Sequence, residues 1–375
     1  MQFIDLKAQQ QLIRQKIEDN IKQVLDHGRY IMGPEIGELE EKLAAYVGAK
    51  HAIGCASGTD ALTLALLALE IGPGDAVFTS PFTFFATGEV IALLGATPVF
   101  VDIDPVTFNI DPALLTPAIQ AVKERGDLEP KAIMPVDLFG LPADYDAINK
   151  IAEQNGLTVV EDAAQAMGGE YQGKMACSLG ALGCTSFFPA KPLGGYGDGG
   201  MVFCDDDELD RMLRSLRVHG QGEDKYDNVR LGINGRLDTM QAAILLAKLE
   251  LLPKEMEQRQ EVAQRYAEMI ATSGAALTPP QVPSGCASAW AQYSVLAESQ
   301  ATRAEFIERL KAAGIPSAIY YPKPLHLQTA FAYLGLQAGD FPHSESAGER
   351  IFSLPMHPYL AVEDQEKIVA ALAGK

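Results

Sequence analysis

The sequence predicts an α/β fold: a large domain, residues 1–250, with a mostly parallel sheet between helices, and a smaller α+β domain, residues 251–375. Three observations predict it. The length of 375 residues suits roughly two domains of about 150 residues each. Apolar residues make up 47% and charged residues 21%, enough apolar matter for a large buried core. Between residues 50 and 205, short β-rich runs alternate with helical runs, the pattern of strands covered by helices on both faces.

The elements follow in order. Ile13, Ile17, Ile21, Val24 and Leu25 recur at helical spacing over Gln9–Asp26, and Gly28 ends that helix. A second helix carries Leu39, Leu43, Tyr46 and Val47 and stops at Gly48. Strands are predicted at Ala76–Ser80, Pro98–Asp102, Ala132–Leu138, Leu157–Asp162, Cys184–Phe188 and Met201–Cys204, with helices at Ala61–Leu69, Ala86–Leu94 and Asp144–Gln154 among them. Leu237, Met240, Ile244 and Leu249 mark a helix from Leu237 to about Gln260 that Pro253 should kink or split. Ser273–Ser288, rich in Gly, Pro and Ser, reads as a linker. A strand (Tyr293–Ala297) and two helices (Ala304–Ala313 and Val362–Ala373) complete the small domain, and no internal repeat is present.

Composition narrows the function. The net charge of −19 argues against nucleic acid or an anionic membrane as the main partner, while leaving room for a small anion in a local site. Five cysteines without a CxxC pair point to a reducing cytoplasm and to no metal site. The opening MQFIDLKAQQ lacks a signal-peptide core, and the longest uncharged stretch, Met269–Ala297, is interrupted by prolines and so is no membrane span.

Chemistry concentrates in three places. In Thr185–Gly200, Lys191 stands between Ala190 and Pro192 in a glycine-rich loop just after a strand. A desolvated amine held there can act as a Schiff-base nucleophile, although most lysines are solvated surface charges. The same loop contains Gly195-Tyr196-Gly197-Asp198-Gly199-Gly200, which fits the dinucleotide pattern by letter. That pattern requires a strand directly before it and a helix opening within it; here a Lys-Pro loop precedes it and a predicted strand, Met201–Cys204, follows. In the second place, a strand runs into Glu161 and Asp162, with Gln165 three residues on. A solvated strand end or a helix cap explains the pair as well as a carboxylate facing a cationic ring nitrogen does. In the third, Ser57-Gly58-Thr59-Asp60 opens an apolar helix; it reads as an N-cap by itself, and as a phosphate site once joined to the other two. Of Phe82, Phe84 and Phe85, one is free to stack on a ring and the others read as core.

Together these stretches, with Gly232-Ile233-Asn234-Gly235-Arg236 and Leu354-Pro355-Met356-His357-Pro358, resemble the DegT/DnrJ/StrS sugar aminotransferases, a family of fold-type I pyridoxal phosphate enzymes, over nearly the whole chain. The resemblance implies that Lys191 carries pyridoxal 5′-phosphate, that Asp162 faces its ring nitrogen, Gln165 its phenolic oxygen and Phe84 its face, and that Gly58, Thr59 and Ser186 hold its phosphate. It implies a homodimer in which Asn234 reaches the neighbouring subunit's cofactor. Family members that dehydrate sugars replace this lysine with histidine, so Lys191 favours transamination. By the same resemblance L-glutamate is the amino donor, and the acceptor is a keto nucleotide sugar, the UDP-2-acetamido-2-deoxy-3-oxo-glucuronate of cell-surface polysaccharide synthesis. Arg29, Tyr30, His219, Arg236, Tyr320 and Tyr321 are the expected sugar contacts, with Arg236 suited to grip the uronate carboxylate and Lys323 and His326 as further cations. Tyr320-Tyr321-Pro322 departs from the His-Tyr-Pro of that subgroup. The alternatives are a 4-keto-6-deoxy nucleotide sugar as acceptor, a cofactor-binding regulatory protein without turnover, and a nicotinamide oxidoreductase resting on the loop glycines.

Overall fold

The computed structural model describes residues 1–224 and 226–374. The chain runs α1 (Leu6–His27), α2 (Pro34–Val47), β1 (His51–Cys55), α3 (Gly58–Ala68), β2 (Asp75–Thr79), α4 (Phe85–Leu93), β3 (Thr97–Phe100), α5 (Pro112–Arg125), β4 (Glu129–Met134), α6 (Tyr145–Asn155) and β5 (Thr158–Asp162). It continues through β6 (Glu170–Tyr171), β7 (Lys174–Met175), β8 (Leu182–Ser186), β9 (Gly200–Cys204), α7 (Asp207–Leu216), α8 (Thr239–Leu249) and α9 (Leu252–Ser273). The last part holds β10 (Leu277–Thr278), β11 (Cys286–Ala287), β12 (Tyr293–Ala297), α10 (Gln300–Ala312), α11 (Pro342–Arg350), β13 (Ile351–Leu354) and α12 (Val362–Leu372).

Seven strands form the main sheet in the order β1-β9-β8-β5-β4-β2-β3. From β8 to β3 every pairing is parallel, and β9 runs antiparallel to both β8 and β1. Each face buries its own core: Leu39, Leu43, Phe78, Ile133 and Leu245 on one side, Leu62, Leu66, Val77, Val90 and Val202 on the other. Burying each such side chain contributes about 1.5–3 kcal/mol. The parallel strands end together, so Ser80, Asp162 and Ser186 arrive at one edge of the sheet.

The last third of the chain forms the sheet β10-β12-β13, packed against α9, α10 and α12 around Tyr266, Phe306, Leu310 and Phe352. Ser273–Ser288 is no free linker. β10 joins that sheet, and β11 returns to pair with β6, fastening the stretch to the main sheet's surroundings. The N-terminus crosses the other way: Met356 N–H donates to the carbonyl of Phe3 at 3.1 Å. Pro253 splits the expected helix into α8 and α9 and sits in the first turn of α9, where its missing N–H costs nothing. Leu25 lies on the solvent side of α1, while Ile17 and Val24 bury against α8.

Candidate active site

Lys191 is presented by a tight loop between β8 and β9. Its own N–H donates to Phe188 O at 2.9 Å, and Phe187 N–H donates to Gly199 O at 2.8 Å, which draws the two loop ends together. Gly200 starts β9 so close to α3 that an added Cβ would lie 2.3 Å from Ser57 O. The Gly195–Gly200 segment therefore leads into a strand, and the dinucleotide reading fails on geometry.

The lysine amine faces a cavity of about 460 Å³. Asp162 at the end of β5 lies opposite, and its charge acts directly on Lys191. Burial pulls the Lys191 amine down from 10.5 to about 8, with Asp162 opposing the shift. Burial pushes the Asp162 carboxyl upward. Thr87 Oγ1 donating to Oδ2 at 2.8 Å, Ala164 N–H donating to Oδ1 at 3.2 Å and the Lys191 charge pull it back. Thr83 backs Thr87, hydroxyl to hydroxyl at 3.1 Å. Gln165 is locked in place: Oε1 accepts from Phe139 N–H at 2.6 Å, and Nε2 donates to Tyr321 Oη at 3.1 Å.

Ser57, Gly58, Thr59 and Ser186 also line this cavity. Ser57 Oγ caps α3 by accepting from Asp60 N–H at 3.0 Å. The N–H groups of Gly58 and Thr59 open the helix and so lack intrahelical acceptors. A Cβ on Gly58 would meet Ser186 Cβ at 2.7 Å, so glycine lets strand and helix approach. Phe84, 57% exposed, and Tyr321 form the flanking aromatic wall, with ring centroids 6.3 Å apart. Phe82 is core, and Phe85 packs on Phe331. An amine, a buried anion without a full cationic partner, and free N–H groups at a helix start are the three features a phosphorylated, cationic heterocycle requires, so the residues fit pyridoxal phosphate.

Tyr320 and Tyr321 line the same cavity. Asn234 and Arg236 line an adjoining depression of about 400 Å³ that shares Asp198 with it. Buried Arg217 holds that segment, binding Glu40 at 2.6 Å and Gly54 O at 2.8 Å, while Gly235 N–H donates to Arg217 O. Arg236 Nε is buried without a hydrogen-bond partner among the described residues. His219 lies apart on an open surface with Arg230 and Leu231. Arg29 and Tyr30 are exposed and outside both hollows. Of the further cations, Lys323 is exposed and His326 is buried against Glu345 at 3.0 Å. Sequence reasoning missed Thr87, Ile4 and Gln292, which also line the cavity. Only the hydroxyl pair Thr83/Thr87, one helical turn apart, offered a signal.

The model of the DegT/DnrJ/EryC1/StrS aminotransferase family matches residues 11–373. This chain belongs to that family. Its members depend on pyridoxal phosphate, and solved relatives carry the cofactor or its amino form. The chain is 49% identical, over 100% of both chains, to the UDP-2-acetamido-2-deoxy-3-oxo-D-glucuronate aminotransferase of Pseudomonas aeruginosa. It is 45% identical, over 99% of this chain and 97% of the other, to a pleiotropic regulatory protein of Geobacillus stearothermophilus. A solved DegT/DnrJ/EryC1/StrS aminotransferase from Brucella abortus superposes with a TM-score of 0.96 at 53% identity, over 100% of this chain and 99% of that one. The family match makes this chain a pyridoxal phosphate-dependent aminotransferase.

Proposed function

We propose that this family member moves an amino group from L-glutamate to the 3-keto carbon of UDP-2-acetamido-2-deoxy-3-oxo-glucuronate. The setting is cytoplasmic synthesis of a sugar for cell-surface polysaccharide such as lipopolysaccharide, and the working unit is a homodimer. The observation that carries the reading is the pairing of Lys191 with Asp162 across one cavity in a chain 49% identical, end to end, to an aminotransferase named for that sugar.

Gly58, Thr59 and Ser186 would hold the cofactor's phosphate, Asp162 its ring nitrogen, Gln165 its phenolic oxygen and Phe84 its face. When bound, the cofactor supplies an electron sink for the carbanion at the donor's α-carbon. Lys191 takes the α-proton and returns it, a role suited to an amine whose pKa of about 8 leaves part of it neutral at physiological pH. Asp162, kept anionic by Thr87 and Ala164, holds the proton on the ring nitrogen. Phe84, Tyr320 and Tyr321 wall the reacting carbon from bulk water. Arg236, with an unpartnered buried Nε, is assigned to the uronate carboxylate. Arg29, Tyr30, His219 and Asn234 lie outside the Lys191 cavity, which suits service to the neighbouring subunit's site. Tyr30, Ile31, Val229 and Leu231 expose apolar surface beside them, as an interface between copies requires.

The test is spectroscopic. Glutamate should convert the holoenzyme's absorbance to that of the amino form, and the 3-keto uronate should restore it. Restoration by a 4-keto-6-deoxy nucleotide sugar instead would move the substrate assignment. The 45% identical regulatory relative favours a second reading, a cofactor-binding protein without turnover, which predicts no conversion by glutamate.

A further inference from the structure

β5 delivers a second carboxyl group one residue before Asp162, and the reaction above does not use it. Glu161 and Asp137, the latter just beyond β4, are both fully buried, and their carboxyl groups act directly on each other. Among the described residues, no lysine, arginine or histidine forms an ion pair with either. Two anions in contact inside a protein, without a counter-cation, repel strongly enough that one takes a proton. The hydrogen-bond pattern says which one. Glu161 accepts from the N–H groups of Cys177 and Leu179, which favours its anion. Asp137 Oδ1 accepts from Ala143 N–H at 3.0 Å and Tyr145 Oη at 2.9 Å, but its Oδ2 is buried with no donor among the described residues, which favours the acid.

We propose that Asp137 and Glu161 share one proton and that Asp137 is a positioning residue for Asp162 and Gln165. The backbone carries the link. Asp137 N–H donates to Asp162 O at 3.0 Å, and Asp162 N–H donates to Pro135 O at 2.9 Å, so residues 135–137 clamp Asp162 from both sides. Asp137 also opens the turn Leu138–Gly140, whose Phe139 N–H orients Gln165. The shared proton limits the buried pair to one negative charge. The other titratable groups facing the pair are Tyr145, Cys177, Cys184 and Cys286, and burial pushes all four upward, toward their neutral forms.

The inference rests on the aminotransferase reading, and its test separates the two. Infrared spectra of holoenzyme at neutral pH should show a carboxylic acid C=O band that is absent in Asp137→Asn. The amide of the Asp137→Asn variant is expected to keep the two Oδ1 contacts and to offer Glu161 an N–H, so both half-reactions should stay within about twofold of wild type. Asp137→Leu leaves Glu161 without that donor and should slow both half-reactions about tenfold, with the glutamate KM moving less. No acid band, or an equal loss in the Asn and Leu variants, overturns the proposal. If the Leu variant does not fold, the band and the Asn variant's rates decide. Wild type that glutamate fails to convert would contradict the aminotransferase reading, while the band would still report on the shared proton.

Discussion

Gly58 and Lys191 are the residues at which the account is most exposed. A methyl group at position 58 would press Ser186 Cβ at 2.7 Å and part the helix start from the strand end. Gly58→Ala should weaken cofactor binding about tenfold, read by titrating apoenzyme with pyridoxal phosphate, because the helix start with Gly58 and Thr59 moves away from Ser186. Lys191 makes a pH prediction. Its amine takes a proton only when neutral, so the rate of donor deprotonation should rise with pH through about 8. The same shift acts on stability in the apoenzyme. Between about 8 and 10.5 the unfolded chain binds the proton that the folded chain has lost, so this group's contribution to stability rises with pH across that window. Melts of Lys191→Ala apoenzyme should show a smaller rise, with only the share of groups such as Lys248 remaining. Lys248 is the instructive contrast: burial brings it to about 8 as well, but it donates to Gly194 O and lies over the Tyr196 ring, away from the cavity. A depressed pKa alone does not distinguish the two lysines; lining one cavity with Asp162 does.

At the scale of elements, the start of α3 and the start of α11 bear the consequences. Ser57→Ala removes the cap on Asp60 N–H and should cost about 1 kcal/mol of stability by denaturant titration, with looser cofactor binding besides. Buried Asp102, just beyond β3, accepts from the N–H groups of His343 and Ser344 at 2.9 Å and from Ser344 Oγ at 2.6 Å, tying α11 to the main sheet. Asp102→Ala should cost about 1–3 kcal/mol and lower the melting temperature. The sequence showed much of this scale. Leu39 and Leu43 betrayed α2, and Pro253 marked the break between α8 and α9. It hid β1, because His51-Ala-Ile-Gly-Cys55 lacks alternation and carries a glycine in its middle, and only its pairing with β9 makes it a strand. Lys191, Asp162 and the Gly58 turn were legible because each sits in a local motif of unusual chemistry. Thr87 was not, since its partner Asp162 is 75 positions away and the fold alone joins them. Asp137 was hidden for the same reason.

For the whole molecule, the unpaired apolar surface sets the expectation. Leu231 is 93% exposed and Val229 more than half exposed, near Asn234 and Arg236 in the chain, and Ile31, also more than half exposed, lines the depression those two residues share. Sedimentation should report twice the 40.3 kDa chain mass. Leu231→Asp should shift the protein toward monomer and lower activity with it, since residues assigned to the neighbouring site would be withdrawn. The central claim, that Lys191 is the cofactor lysine, has one most direct measurement: borohydride reduction of the holoenzyme followed by peptide mass mapping. The account predicts the added cofactor mass on the peptide containing Lys191 and nowhere else. The same mass on the Lys248 peptide, or covalent retention in Lys191→Ala, would contradict it.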